Sequence, residues 1–138
     1  MIEVNNLVKF KFKKEVFSKV AKKVLFGENR AKETISLAFV SKAEMKKLNK
    51  KFRNKDYPTD VLSFAIRDEI KEKNFLGEIV ICPEVVGENA KKNGVLKNYE
   101  MLKVFIHGIL HLCGYDHERS RKEEIIMDKK QTKYLSRV

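Results

Sequence analysis

One segment of this chain is apolar on almost every side, and it restricts the possible folds more than any other segment. A helix drawn between Asn98 and Gly114 carries large apolar side chains around most of its circumference: Met101, Leu102, Phe105, Ile106 and Ile109. A helix that is hydrophobic all round is buried in the core of a protein. Asn98 is suited to cap its first turn, and Gly114 is suited to end it in the left-handed conformation. We therefore predict a central helix around which the other elements pack.

The remaining apolar patterns predict strands and helices that alternate along the chain. Strands are predicted near 2–4, at 34–40 (half-buried), at 61–66 and at 75–82, and helices at 13–26, 41–52, 83–94 and 118–138. Ser41 and Glu44 have the form of a capping box, and Gly94 is suited to end the helix at 83–94. Met45, Leu48 and Phe52 are predicted to point inward from the helix that follows, and Ile126 and Tyr134 are predicted to anchor the last helix. Residues 67–74 form a predicted charged loop. The fold class is α+β, or mixed α/β, in a single domain.

The composition favours a globular protein without membrane spans. Hydrophobic residues make up 43% of the 138 residues and charged residues 36%. No apolar run approaches the length of a membrane span, and the first residues lack the layout of a secretory signal. The two cysteines, Cys82 and Cys113, do not form a disulfide framework and are interpreted as structural. We therefore expect a cytoplasmic protein.

The charge is strongly basic and unevenly distributed. The chain has 30 basic and 19 acidic residues, a net charge of +11. Residues 1–60 contain 16 basic and 7 acidic side chains, whereas residues 61–138 contain 14 and 12. A field of one sign on part of a small domain favours a polyanionic partner such as RNA. A lysine-rich surface that serves only solubility gives the same totals.

All three histidines of the chain lie within eleven residues, at His107, His111 and His117. Residues four apart on a helix share one face, so His107 and His111 can point at a common ion. A turn at Gly114 can then bring His117 back as a third ligand. Three imidazoles with an open fourth position are typical of a catalytic zinc site, whereas structural sites are closed. The spacing therefore predicts an enzyme.

The histidine spacing matches the long zincin motif, with one important difference. The glutamate that acts as general base in that motif is replaced by Gly108. Peptide hydrolysis is therefore less favoured. A metal ion can still activate water or polarise a phosphoryl oxygen, and an arginine beside it would stabilise charge on a phosphodiester.

Three further side chains are candidates for the site. Arg53 lies in a run of cations that are otherwise lysines, which suggests that planar geometry matters; a helix-end cation favoured by the helix dipole explains it equally well. Asp116 could orient a histidine or simply cap the turn. Glu78 could face the cleft, although an exposed strand carboxylate is the ordinary expectation.

Three segments of the chain resemble the YbeY-type rRNA maturation endoribonuclease family. Residues 107–117 are similar to the family's signature at each defining position: His107, Gly108, His111, Gly114, Asp116 and His117. Residues 48–64 are similar to its central motif, and residues 76–79 to its third strand motif. Two positions depart from the family pattern, because Glu78 stands where aspartate is usual and Ala65 where proline is usual.

The resemblance implies one domain over residues 1–138, with a small mixed sheet of about four strands, about five helices and a metal site on the central helix. It implies one Zn²⁺ ion on His107, His111 and His117. Catalytic roles are implied for Arg53 and His107, and supporting roles are assigned to Asp60, Glu78 and Asp116. The implied activity is endoribonuclease cleavage of single-stranded RNA in ribosomal RNA maturation, notably at the end of the small-subunit RNA, and in ribosome quality control. The implied partners are ribosomal RNA and ribosomal subunits.

Two alternatives remain open at this point. One is a zincin-like metallohydrolase that acts on peptides or small molecules, and Gly108 is the feature against it. The other is a non-catalytic ribosome-associated factor with a structural metal. The lack of a fourth protein ligand argues against that reading.

Overall fold

Strands and helices alternate along the chain in a computed structural model that describes residues 2–66, 74–116, 118 and 120–137. Within these residues the order is β1 (Ile2–Asn6), α1 (Lys14–Gly27), β2 (Thr34–Phe39), α2 (Lys42–Arg53), β3 (Val61–Ala65), β4 (Phe75–Ile81), α3 (Pro83–Asn93), α4 (Lys97–Leu112) and α5 (Arg121–Leu135). This order confirms the predicted α+β class. Most of the predicted loop at 67–74 lies outside the described residues, and so does the predicted ligand His117. None of the described helices combines the length and apolarity needed to cross a membrane.

The four strands form one mixed sheet in the order β1-β2-β4-β3. β2 pairs in parallel with both β1 and β4, and β3 pairs antiparallel with β4. Parallel neighbours need a crossover connection, which α1 provides between β1 and β2. The register of the last pair sets Ser63 opposite Ile79 and Phe64 opposite Glu78. This register decides which side chains of β3 and β4 share a face of the sheet.

Helix α4 lies at the centre of the fold, as its composition predicts. It packs against α1, α3, α5, β3 and β4. Its buried apolar side chains extend around most of the helix: Met101, Val104, Phe105, Ile106, Ile109, Leu110 and Leu112. Gly108 allows a close approach to the sheet, since a Cβ atom there would lie 3.0 Å from Ile79 Cγ2 and 3.1 Å from Ser63 Oγ. The helix that carries the histidines therefore rests directly on β3 and β4.

The two faces of the sheet carry separate apolar clusters. The face towards α1 and α4 contributes Ile35, Leu37, Phe39, Ile79 and Ile81. The opposite face contributes Ala38, Leu62 and Val80, which cluster with Met45 of α2. Ala38 is only 7% exposed, so the prediction of a half-buried β2 is wrong at this end of the strand. Strand β2 lies between β1 and β4, and side chains on both of its faces are buried there.

Three predicted helix caps can be compared with the structure. Ser41 Oγ accepts a hydrogen bond from the backbone N–H of Glu44 at 3.2 Å, and Gly94 ends α3 with a φ of 65°. The prediction for Asn98 is wrong, because α4 begins at Lys97 and its cap position is Leu96, which lies two residues before Asn98 and makes no side-chain hydrogen bond. Packing around α4 outweighs the weaker local preference for a polar cap.

Two side chains that were predicted to anchor helices are exposed instead. Phe52 is 55% exposed and Ile126 is 37% exposed. In α5 the buried side chains are Met127 and Tyr134, so the prediction for Tyr134 is confirmed. Short amphipathic patterns leave the inward-facing stripe uncertain by about one position, and tertiary packing chooses between neighbours.

Candidate active site

A cleft of about 430 Å³ lies between α4, β3 and the segment that joins α2 to β3. Four predicted site residues line it: Arg53, Asp60, His107 and His111. They come from α2, from the segment between α2 and β3 and from α4, and the fold brings them together. The cleft is therefore the candidate active site.

The two described histidines lie one helical turn apart on the cleft side of α4. Their ring centroids are 4.9 Å apart and their planes are inclined by 70°. His107 Nδ1 lies 2.9 Å from Oε1 of Gln131 on α5. Because an amide oxygen can only accept a hydrogen bond, Nδ1 is the donor in this contact. Metal-ligating histidines are commonly oriented in this way.

The turn after α4 has the conformation that the sequence predicts. Gly114 has a φ of 105°, its N–H donates to the carbonyl of His111 at 3.0 Å, and the N–H of Tyr115 donates to the carbonyl of Leu110 at 3.1 Å. This pair of bonds is a Schellman motif. Glu118 lines the cleft, so the chain has returned to the two histidines one position after His117. His117 itself lies outside the described residues.

The described donors fit part of a metal site. Two imidazoles share one face, and the ring of His107 is held through its Nδ1 by Gln131. Across residues 2–66, 74–116, 118 and 120–137, no group of three His, Cys, Asp or Glu side chains is positioned to hold a metal ion. A three-ligand site therefore requires a donor beyond these residues, and the sequence offers His117.

Arg53 ends α2 at the edge of the cleft and forms an ion pair with Glu118. Its Nη2 lies 3.2 Å and 3.4 Å from the two carboxylate oxygens, and the side chains are 39% and 56% exposed. Ion pairs this exposed contribute only about 0–1 kcal/mol to stability. A phosphate group can therefore replace the Glu118 carboxylate at little energetic cost.

The three carboxylates assigned supporting roles occupy different environments. Asp60 lines the cleft, and its Oδ1 accepts from the N–H of Val61 at 2.8 Å. Asp116 Oδ1 accepts from the N–H of Glu118 at 3.0 Å. Asp116 therefore caps the turn, which is one of the two roles that the sequence predicted for it. Glu78 accepts from Ser36 Oγ at 3.4 Å.

The carboxylate of Glu78 is not part of the cleft. Its neighbour Ile79 faces Gly108 of α4, and successive side chains of a strand point to opposite faces. Glu78 therefore lies on the face of the sheet that is turned away from the histidines. The expectation that it could face the cleft does not agree with the structure, because the register of β4 directs it elsewhere.

Sequence reasoning missed several residues that line the cleft. Gln131 holds His107 from another helix, and no sequence signal indicates that contact. Asn49 is only 1% exposed, and its place on the same face of α2 as Met45 was a usable signal. Glu100 is 5% exposed and lies two turns before His107, on the same face of α4.

The position of Gly108 explains why the general base of the zincin motif is absent. Any side chain there would meet Ile79 and Ser63 at the contact distances of 3.0 and 3.1 Å. Ser63 Oγ donates to the carbonyl of Gly108 at 3.2 Å, which holds α4 and β3 together. A glutamate at this position would require the side chains of Ile79 and Ser63 to move by a few tenths of an ångström.

Both cysteines are free and serve as packing residues. Burial raises the pKa of the Cys113 thiol to about 11, and burial also raises the pKa of Cys82. Both thiols are therefore protonated near neutral pH, whereas a metal ligand is a thiolate. This agrees with the structural role predicted for them.

The chain was compared with protein families and with known proteins. The family model described as "Endoribonuclease YbeY" matches residues 3–138. The chain belongs to the endoribonuclease YbeY family. The predicted family is thus confirmed, and with it an RNA-cleaving class of enzyme.

Individual relatives carry the same family name. A protein from Thermotoga neapolitana is 47% identical over 103 residues, 75% of this chain and 66% of that protein. One from Bdellovibrio bacteriovorus is 43% identical over 106 residues, 77% of this chain and 67% of that protein. The matches thus span about two thirds of the length of these relatives.

A solved structure supports the fold. The solution structure of a Thermotoga maritima protein matches with a TM-score of 0.71 and 38% sequence identity, covering 98% of this chain and 87% of that chain. The mixed four-stranded sheet and its helices are therefore those of a solved relative.

Proposed function

We propose that residues 1–138 act as one metal-dependent endoribonuclease domain that cleaves single-stranded ribosomal RNA. The proposed role is processing of the small-subunit RNA end and ribosome quality control in the cytoplasm, with ribosomal subunits as partners. The observation that carries the proposal is the shared cleft of His107, His111 and Arg53, in which Gln131 orients the first imidazole. Membership of the endoribonuclease YbeY family supports the reaction class.

His107, His111 and His117 would hold the metal, for which we propose Zn²⁺. Imidazole nitrogens are common zinc ligands, and Gln131 contacts Nδ1 of His107 as a residue that orients a ligating histidine would. The chemistry that such an ion supplies is Lewis-acid polarisation of a phosphoryl oxygen or activation of water.

Arg53 would bind the scissile phosphate. During cleavage, negative charge builds on the nonbridging oxygens, and the planar guanidinium can donate two parallel hydrogen bonds to them. Its exposed partner, Glu118, exchanges for the phosphate because the ion pair contributes little. Asp60 would support this edge of the cleft by bonding the backbone at the start of β3.

The two alternative functions have less support. A zincin-like peptidase needs a carboxylate base where Gly108 packs against Ile79 and Ser63. A non-catalytic ribosome factor does not explain why a cleft joins two histidines to an arginine. Family membership also favours neither of them.

The proposal is tested with a His111→Ala variant and small-subunit RNA fragments. We expect the variant to lose its metal and at least about 100-fold in cleavage rate, because loss of a direct ligand exceeds the typical effect of losing a residue that orients one. Metal content is measured by elemental analysis, and cleavage by gel assay with and without a chelator. Thr132→Ala, an exposed position on α5, is the control and should behave as the wild type.

Wild-type turnover by metal-free His111→Ala protein would contradict the proposal. Wild-type protein that cleaves peptides but not RNA would favour the peptidase. End-group analysis of the RNA products distinguishes attack by water from attack by the 2′-hydroxyl.

A further inference from the structure

We propose that Tyr57 is a stacking platform for an unpaired nucleobase, so that the cleft selects single-stranded RNA by its bases as well as by its phosphates. This inference rests on the proposed function, because it names the feature that recognises the substrate. Tyr57 lines the same cleft as His107 and Arg53, and it is 53% exposed. A large ring this exposed beside the reactive groups calls for an explanation.

The backbone of Tyr57 is held by a buried side chain. Asn49 Nδ2 donates to the carbonyl of Tyr57 at 2.8 Å, and Asn49 is only 1% exposed. The carbonyl of Asn49 also accepts from the N–H of Lys55 at 3.3 Å, after Asn54 has ended α2 in the left-handed conformation. The ring therefore projects from a backbone turn that is already fixed. Stacking a base on the ring then costs little backbone entropy of the protein.

The Tyr57 ring is not part of the apolar core of the described residues. It belongs to neither apolar cluster and forms no ring pair in this part of the chain. Phe52 makes a useful contrast, since it is equally exposed but packs edge-on against Phe64 with the ring centroids 5.0 Å apart. The Phe52 ring thus has a structural role in the fold, whereas the Tyr57 ring is free to contact a ligand.

The charges of the cleft explain why stacking is needed. Three cations and four carboxylates line it: Arg53, Lys55, Lys103, Asp60, Glu100, Glu118 and Asp128. This mixture cannot hold a polyanion by Coulomb attraction alone. Stacking of a base on an aromatic ring adds about 1–3 kcal/mol irrespective of base identity. Only unpaired bases expose their faces for it, so Tyr57 would favour single strands over duplexes.

The chain contains no tryptophan, which allows a direct test. A Tyr57→Trp variant has a single tryptophan, which can be excited apart from the remaining tyrosines, and we expect its emission to be quenched by a 2′-O-methyl single-stranded oligonucleotide. A duplex of the same sequence, and an abasic chain with the same number of phosphates, should leave the emission unchanged. Tyr99→Trp is the matched control, because Tyr99 is 48% exposed and is not part of the cleft.

Affinity measurements complete the test. Tyr57→Ala should bind the single strand about 5- to 150-fold more weakly than the wild type, the range that corresponds to one stacked base. Tyr57→Phe should bind like the wild type, and the abasic chain should bind all three proteins equally. The hydrogen bond from Asn49 uses the backbone of Tyr57, so it survives each substitution.

Two outcomes separate this inference from the proposed function. If the wild type cleaves RNA but Tyr57→Ala binds single strands equally well, or if Tyr57→Trp responds equally to the abasic chain, the stacking role is wrong and the nuclease proposal stands. If the wild type neither binds nor cleaves RNA, both are wrong.

Discussion

The imidazole of His107 is oriented by an amide that lies on a different helix. Gln131 Oε1 is 2.9 Å from Nδ1, and this contact holds the ring in place. At the scale of single residues, the proposed binding of a metal by His107 would thus depend on a side chain 24 positions away.

Replacing Gln131 should weaken metal binding. We expect Gln131→Ala to lower metal affinity by about 10- to 100-fold, because residues that orient a ligating histidine typically have effects of this size. Gln131→Glu should retain most of the affinity, since a carboxylate also accepts from Nδ1. Competition with a chromophoric chelator measures the affinity, and Thr132→Ala serves as the control. An affinity unchanged in Gln131→Ala would remove this residue from the site.

Arg53→Lys should impair turnover more than binding. Lysine keeps the charge but cannot donate two parallel hydrogen bonds to a phosphate, so the stabilisation specific to the transition state is lost. We expect kcat to fall by about 10- to 100-fold with little change in KM, because lysine keeps the charge, whereas removing a donor to developing charge altogether costs about 100- to 1,000-fold. Steady-state kinetics on a single-stranded RNA checks this. Equal kcat values would show that only the charge at this position matters.

At the scale of elements, α5 is attached to the rest of the fold by a cluster around Glu28. The side chain of Glu28 is 5% exposed. It accepts hydrogen bonds from Tyr115 at 2.6 Å, from Lys130 at 3.1 Å and from Tyr134. Lys130 is the neighbour of Gln131, and Tyr115 belongs to the turn after α4. The cluster therefore holds both elements that border the histidines.

The cluster predicts a pH-dependent contribution to stability. Burial by itself would raise the pKa of Glu28, but the hydrogen bonds from Tyr115, Tyr134 and Lys130 outweigh it and lower the pKa below 4.5. A carboxyl with a lowered pKa in the folded state stabilises the fold above its unfolded pKa, and this contribution is lost as the pH falls through the folded pKa.

Glu28→Gln should therefore destabilise the protein by about 2 kcal/mol at pH 7, within the range for a buried bond to a charged group. The difference from the wild type should shrink as the pH falls below 4.5. Urea denaturation across this range measures both. Glu124→Gln, at an exposed ion pair with Arg121, should change stability by less than about 0.5 kcal/mol. A difference that stays constant with pH would show that the charge of Glu28 contributes nothing.

At the scale of the whole molecule, the charge of +11 and the mixed charge of the cleft act at different ranges. The basic excess attracts RNA from a distance, and it is screened by salt. Contacts inside the cleft then determine which part of the RNA is held. The basic excess should therefore speed the encounter with RNA, whereas the contacts inside the cleft should determine both the salt slope of binding and the preference for single strands.

Binding of single-stranded RNA should weaken with salt. If Arg53, Lys55 and Lys103 each contact a phosphate, the slope of log K against log salt should be about −2. Lys55→Ala should make the slope shallower by about 0.7. Lys122→Ala, an exposed position outside the cleft, should leave it unchanged. A slope near zero for the wild type would contradict a phosphate-binding role for these cations.

Features that depend on neighbours in the sequence were predicted well. The apolar circumference of α4 predicted a central helix, and the spacing of His107 and His111 predicted a shared face. Gly114 predicted the left-handed turn. Each depends on the helical repeat or on the conformational freedom of one residue, and both operate within a few positions.

Only the tertiary structure decided the features that depend on distant contacts. These include the strand order β1-β2-β4-β3, the face on which Glu78 lies, the exposure of Phe52 and the contact of Gln131 with His107. Periodicity tells which residues of one element share a face, but not which element covers that face. That choice is made by packing between segments far apart in the chain, and it brings Arg53, Tyr57 and the histidines to one cleft.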